Sequence, residues 1–421
     1  MAYLLFFIYL LLLSWIVTKI RFIKKTGLTA RVIVLLFLTK IIAGLTIGYF
    51  TKDITNDYWP LNADSLNEQH LLLTDPRTYF TNIFHSGYKN GYGGFLDALP
   101  SYWNDLRITL ISKLLAWFNF LSGGNYYINS LFYNFFGFFG HIAFCRLFIQ
   151  VYPGKKIAVI ISCFLLPSML YFSSGVQKDG IIFTALGVLC YTVYQSLYKN
   201  NFSAGRIIII MLALAILFLI RSYVVLLILP GLFFWILTVK RQWPVLIIFT
   251  TGYSVVVILF FSLHYVTGGK FNPLEAVTKK QEAFFMLEKA STQLQLDTLK
   301  PEWISFAHNA PQAFNHSFLR PYVTEITSRS LVPVVFETFF YQALFLIFLF
   351  CHYKSPKSLN NQAFITAGVF FAVSILLFIG YIVPNLGSIV RYRSIYLIFL
   401  ITPVLAGIDC ETFIKSIKIK K

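Results

Sequence analysis

Residues 157–198 read IAVIISCFLLPSMLYFSSGVQKDGIIFTALGVLCYTVYQSLY, two apolar runs around a polar octet. The runs, 157–172 and 181–198, are each long enough to cross most of a bilayer as a helix. The octet is Ser173-Ser174-Gly175-Val176-Gln177-Lys178-Asp179-Gly180. An adjacent Lys and Asp at the end of such a hairpin either sit at the water interface or line a cavity, and in a cavity they mark a functional site. The choice depends on which side of the membrane they face, and the rest of the chain decides that.

The same reading extends to the whole sequence. Of its 421 residues 57% are hydrophobic and only 12% charged, whereas a soluble domain carries roughly a quarter charged residues. Apolar stretches of about 17–25 residues recur throughout, which is the pattern of membrane helices and not the weak alternation of a barrel. The fold class is therefore all-α: a polytopic transmembrane helical bundle forming a single integral membrane domain over 1–421. The run 3–20 has neither a preceding basic region nor a small-residue cleavage site, so it reads as a retained span. The net charge of +18 is explained by Lys and Arg loading of cytoplasmic loops, and no nucleic-acid partner is expected. Cys145, Cys163, Cys190, Cys351 and Cys410 form no CxxC pair and read as small hydrophobes.

Basic clusters mark one side of the membrane: Arg21/Lys24/Lys25/Arg31, Lys155/Lys156, Lys199/Arg206, Lys240/Arg241, Lys354/Lys357 and the tail from Lys415 to Lys421. Placing all of them inside predicts about eleven spans, with the N-terminus outside and the C-terminus inside. The expected spans are 3–20, 32–50, 128–151, 157–173, 180–198, 206–221, 223–239, 243–263, 331–351, 363–383 and 394–409. The acids give partly independent support. Only Asp409 and Glu411 fall inside, while the others lie outside or, like Glu337, just within a span. Two outer segments, 51–127 and 264–330, are too long for simple turns, and loops of that length usually carry function. The first ends in an apolar stretch, 108–121, that reads as an interfacial helix. The second has helical patterning over 273–296 and reads as a surface helix or lid.

In this topology the octet faces outward, together with Asp64, Glu68, Asp75, Arg221, Arg320, Arg391 and Arg393. Acids and bases gathered on one membrane face suit an enzyme acting on a lipid with a charged head. Phosphate needs cations, and Arg offers a planar fork while Lys offers a point charge. Lys178, Arg221, Arg320, Arg391 and Arg393 are the candidate phosphate contacts, and each also reads as an interfacial anchor. Asp179 reads equally as part of that site or as a structural counter-ion. Glycosyl transfer needs a carboxylate to deprotonate the acceptor. Asp64 and Glu68 would share a helix face, and Asp57 is a further candidate for the base. Lys40 and Glu337, within spans, read as buried pairs, relays or snorkelling anchors. The histidines show no metal-ligand spacing, so no metal site or cofactor is predicted, with a divalent cation left open.

These features resemble the C-type membrane glycosyltransferases: an acid in the first outer loop, interfacial helices after it, many spans and a late Arg-bearing outer turn. Residues 166–180 (Leu-Pro-Ser-Met-Leu-Tyr-Phe-Ser-Ser-Gly-Val-Gln-Lys-Asp-Gly) and 387–393 (Gly-Ser-Ile-Val-Arg-Tyr-Arg) also look like patterns in bacterial surface-polysaccharide membrane proteins. The resemblance implies a multi-pass protein of a bacterial cytoplasmic membrane. Its partners would be membrane lipids, a polyprenyl-phosphate-linked sugar donor and a glycan or lipid acceptor. On it, Asp64 matches the first-loop catalytic acid, and Lys178, Arg391 and Arg393 match lipid-phosphate contacts. The paired Asp-Asp or Asp-Glu of some such families is absent, which leaves the base open among Asp64, Glu68 and Asp57. A surface-polysaccharide polymerase and a flippase for lipid-linked glycan are the alternatives.

Overall fold

The computed structural model describes residues 2–52, 58–89, 91–93, 101–269, 271–287, 292–326, 331–353 and 356–409. In chain order its helices are α1 Ala2–Lys19, α2 Arg21–Lys24, α3 Ala30–Phe50, α4 Tyr58–Thr74, α5 Pro76–Thr81, α6 Tyr102–Ser122 and α7 Tyr126–Val151. Next come α8 Lys156–Ile160, continued as a π-helical turn Ile161–Leu165, then α9 Pro167–Ser174, α10 Lys178–Tyr198 and α11 Ala204–Arg241. The remainder is α12 Val245–Val266, α13 Pro273–Phe285, α14 Trp303–Phe314 running into a π-helical Asn315–Leu319, α15 Val332–Phe350, α16 Leu359–Ile382, α17 Leu386–Ser394 and α18 Ile398–Gly407. A two-residue antiparallel pairing of His352–Tyr353 with Ile408–Asp409 and an isolated bridge between Gln293 and Asn385 interrupt the helical pattern.

Among the described residues, eight helices are long and apolar enough to cross a membrane, and ten if each of two bent pairs counts as one span. One pair, Lys156–Leu165 with Pro167–Ser174, bends by 48°. Proline forces the bend, because the residue before it is pushed out of the helical region and Leu166 sits at φ −69°, ψ 117°. The other pair, Leu386–Ser394 with Ile398–Gly407, bends by 60°. The 38-residue α11 contains non-helical backbone at Arg221 (φ −146°, ψ 87°), at the boundary expected between 206–221 and 223–239.

The structure departs from expectation in the two long segments, 51–127 and 264–330, and near Arg391. The interfacial stretch 108–121 lies within the longer α6. Helix α13 ends at Phe285, and residues 292–294 run extended, with Leu294 N–H donating to the Pro384 carbonyl at 2.7 Å and Leu386 N–H to that of Thr292 at 3.0 Å. Arg391 and Arg393 lie in α17 and not in a turn. The Asn385 side chain starts that helix by accepting from Ser388 N–H at 3.3 Å.

The chain divides into two compact units. The first comprises Met1–Arg146, Leu170–Tyr191 and Ile209–Arg221. In its core, Ile47 of α3, Tyr58 and Leu61 of α4, Ile111 and Leu115 of α6, and Tyr126 and Tyr133 of α7 surround Val176 of the octet. Helices α7 and α10 approach backbone to backbone, since a methyl group on Gly140 would lie 2.5 Å from Thr184 Cα. The second unit comprises Leu147–Met169, Thr192–Ile208 and Ser222–Lys421. There the end of α14 packs against α16 so closely that a methyl group on Gly380 would fall 2.0 Å from the Ala313 carbonyl oxygen. Gln281 of α13 is buried and fixes the irregular chain near it. Its amide donates to the Asp297 and Tyr381 carbonyls and its oxygen accepts from Leu299 N–H.

Candidate functional site

The octet is buried within the first unit and is not a solvated cap: apart from half-buried Lys178, all of its residues are buried. Tyr58 of α4 covers it closely enough that a methyl group on Gly175 would lie 2.4 Å from that ring. Asp179, in the first turn of α10, meets Arg221 at 2.7 Å, and the two side chains are 0% and 8% exposed. The non-helical backbone of Arg221 coincides with this contact. The structure therefore brings together Lys178, Asp179 and Arg221 of the expected substrate contacts, and the Asp179 carboxylate offsets the Arg221 charge.

Behind the octet lies a polar cluster whose pairing is not readable from sequence. Lys40 of α3 is 1% exposed. Its Nζ donates to the Ser173 carbonyl at 3.0 Å and to Ser174 Oγ at 3.2 Å, and lies 3.2 Å from His141 Nε2. Asn134 donates to the Ser174 carbonyl at 2.9 Å. With Ser173 Oγ at 3.4 Å, four acceptors surround the Lys40 amine and satisfy its donors without a carboxylate. The signal in the sequence is the heptad-like stripe Ser130, Asn134, Gly137, His141 on α7. Gly137 leaves the room that Lys40 fills, since a methyl group there would be 3.2 Å from Lys40 Cε.

Of the candidate bases, Asp64 and Glu68 share α4 but not an environment. The buried stripe of α4 is Tyr58, Leu61, Asn62 and Ser65. Asn129 locks it in place by donating to Asn62 and Asn119, while Asn119 donates to Ser65 Oγ. Glu68 lies on the flank of that stripe and accepts from Lys113 Nζ at 2.6 Å. Lys113 also donates to the Tyr79 carbonyl and sits 3.8 Å over the Tyr79 ring. Glu68 is thus ion-paired, whereas Asp64 is exposed. Asp57 lies outside the described residues. Nearby, Asp75 caps α5, and its bonds to the Thr78 hydroxyl and N–H hold its carboxyl below the usual range.

An apolar groove of about 340 Å³ runs along this unit, lined by residues of α6, α7, α10 and α11 that include Phe118, Tyr133, Gly180, Thr184, Leu212 and Ile216. Gly180 follows Asp179 directly, and Ile216 lies little more than a helical turn before Arg221. The lining stops short of the ion pair, since Lys178, Asp179 and Arg221 are not part of it.

In the second unit Arg393 is 3% exposed. Its Nη1 donates to the carbonyls of Ser317 (3.1 Å) and Arg320, and its Nη2 to Thr338 Oγ1 at 2.7 Å. These bonds tie the π-helical turn after α14 to α15. Arg320 pairs with Glu325 at 3.3 Å, and Arg391 is half-buried. Glu337 accepts from Ser168 N–H with both oxygens at 3.1 Å, from Ser168 Oγ, and from the Tyr341 hydroxyl. A carboxylate at the first turn of α9 meets the partial positive charge of that helix end. No known family model matches the chain, and no curated protein or solved structure is similar to it.

Proposed function

We propose that the protein transfers a sugar from a polyprenyl-phosphate-linked donor to a lipid-linked glycan or surface acceptor at the outer face of a bacterial cytoplasmic membrane. What supports this reading is the apolar groove of the first unit, lined by Gly180, the residue that follows Lys178-Asp179 in the chain, with Asp179 paired to Arg221. Leu212 and Phe136 on its wall are more than half exposed, so in a bilayer the groove faces hydrocarbon. An isoprenoid chain fits there with its phosphate at Lys178, where the three charges sum to one positive. Asp64 takes the proton of the acceptor hydroxyl. That oxygen forms the new glycosidic bond as the sugar–phosphate bond breaks, and the polyprenyl phosphate leaves with the electron pair.

The topology in this reading has about eleven crossings, since α11 at 38 residues is nearly twice the length one crossing requires and breaks at Arg221. A second reading, a flippase for lipid-linked glycan, draws on the Lys40–His141–Ser173 cluster, an ionisable group inside a span. Purified protein in nanodiscs with a radiolabelled polyprenyl-phosphate sugar distinguishes the two. Lys178→Ala and Asp64→Asn are each expected to lower transfer at least about tenfold, the scale of one charge-assisted contact or a lost base. Undiminished transfer in both variants would overturn the assignment. Movement of lipid across the bilayer without glycosidic bond formation would favour the flippase.

A further inference from the structure

Residues of the second outer segment line an open cavity that neither the groove nor the ion pair uses. Its volume is about 630 Å³, within the roughly 300–1,000 Å³ of ligand cavities. Its polar lining is Gln293, Gln295, Gln312, Asn315, His316, Arg320 and Glu325. We propose that this cavity binds an uncharged, hydroxyl-rich glycan through its carboxamides, His316 and the Arg320–Glu325 pair.

The donors and acceptors fit that ligand. Gln312 Oε1 accepts from Asp297 N–H at 3.1 Å and Asn315 Oδ1 from the Tyr322 hydroxyl, so each amide keeps its NH₂ for a ligand oxygen. His316 is 2% exposed, and its Nδ1 has no hydrogen-bond partner among the described residues. A buried ring nitrogen left unpaired at a cavity wall is satisfied when a ligand hydroxyl reaches it. Tyr322, 38% exposed, bonds through its hydroxyl to Asn315 of the lining.

The electrostatics select against anions. Arg320 is already paired with Glu325, which also accepts from Tyr322 N–H at 2.8 Å. Burial, reinforced by the Arg320 charge, lowers the His316 imidazole to about 4, so it is neutral at physiological pH. The charged groups acting on it are Arg320, Glu325 and Asp297, one cation against two carboxylates. A sugar acid or phosphate would meet no uncompensated cation there. A polyol finds both donors and acceptors.

The walls are set before a ligand arrives. Residues 292–294 are held to Pro384–Leu386 by backbone bonds, Gln281 anchors 297–299, and Arg393 fixes the carbonyls of Ser317 and Arg320. Preorganisation of this kind lowers the entropy cost of binding.

As the acceptor site of the transferase, the cavity rests on the reading above; as a glycan site it does not. The test is an array of neutral and acidic oligosaccharides probed with the full-length protein in nanodiscs, followed by titration of the best-bound glycan. Neutral glycans are expected to bind, and Gln312→Ala and Gln295→Ala to weaken them on the order of tenfold each. Gln295 is exposed, so its variant keeps the fold even if Gln312→Ala does not. No bound glycan, a preference for acidic glycans, or unchanged affinity in Gln295→Ala and a folded Gln312→Ala would overturn the site. Glycan binding without sugar transfer would leave the site standing and remove the transferase.

Discussion

Asp179 and Arg221 hold opposite charges 2.7 Å apart with almost no access to water. Such a pair is costly to assemble, but removing one partner leaves a buried uncompensated charge, at about 3–5 kcal/mol. Asp179→Ala is therefore expected to lower unfolding stability in detergent by about that much, and the double change with Arg221→Met to recover part of it. Additive losses in that cycle would show the two residues to be energetically independent. His316 carries the pH dependence at the same scale. Its folded value of about 4 lies below the ordinary 6.5, so the unfolded chain takes up the proton first. Its contribution is complete above pH 6.5, declines as pH falls towards 4 and is constant below that. Asp75 and Glu275, held below the usual carboxylate range by Thr78 and Lys279, lose theirs at lower pH. His316→Gln should therefore flatten the melting temperature between pH 6.5 and 4, and an unchanged slope would place the titration elsewhere. The sequence flagged Asp179 and Arg221 separately, but they are 42 positions apart, and no local pattern announces that they meet.

Helices differ in how far their sequences declare them. Long apolar runs were legible because span length is set by bilayer thickness, so α3, α7, α10 and α16 begin and end within a few residues of expectation. Helices α4, α14 and α17 were not. Their apolar residues are sparse, and they are held by tertiary contacts such as the Asn129–Asn62–Asn119 network and the seat of α14 on Gly380. The α7–α10 contact shows the same limit. Glycine in a membrane helix permits close packing, but only the structure identifies Gly140 and Gly187 as the facing pair, with a Gly187 methyl placed 2.6 Å from the Gly140 carbonyl oxygen. Gly140→Ala is expected to force these helices apart and cost about 1–3 kcal/mol. Gly205→Ala in α11, where a methyl group meets nothing within 4 Å, should be neutral or gain up to about 1 kcal/mol. Equal melting temperatures for the two variants would contradict the close contact.

At the scale of the molecule, each unit gathers chain ends that the charge rule places together. In the first, the end of α3, the start of α7 and the break after α9 meet under α4 and α6 through Ile47, Tyr126 and Val176. At the far end of α7, Arg146 stacks over Phe22 and Tyr191, beside the basic α2. In the second, the last turn of α16 receives the second long segment, where Gln281 and Phe306 bond to Tyr381. These groupings were legible because Lys and Arg distribution encodes sidedness. The surroundings of the candidate bases were not, because no local pattern shows that Lys113 pairs with Glu68 while Asp64 stays exposed. Sidedness itself is open to direct measurement with single cysteines, in a background where exposed native thiols are replaced by serine. Lys89→Cys and Lys300→Cys should react with a membrane-impermeant maleimide in intact cells, and Lys156→Cys and Lys199→Cys only after lysis. The opposite pattern would invert the orientation and move Asp64 and Lys178 to the cytoplasmic face, where a nucleotide-linked sugar could serve as donor. Labelling of Lys89→Cys but not Lys300→Cys would instead put the two long segments on opposite faces and contradict the expected topology.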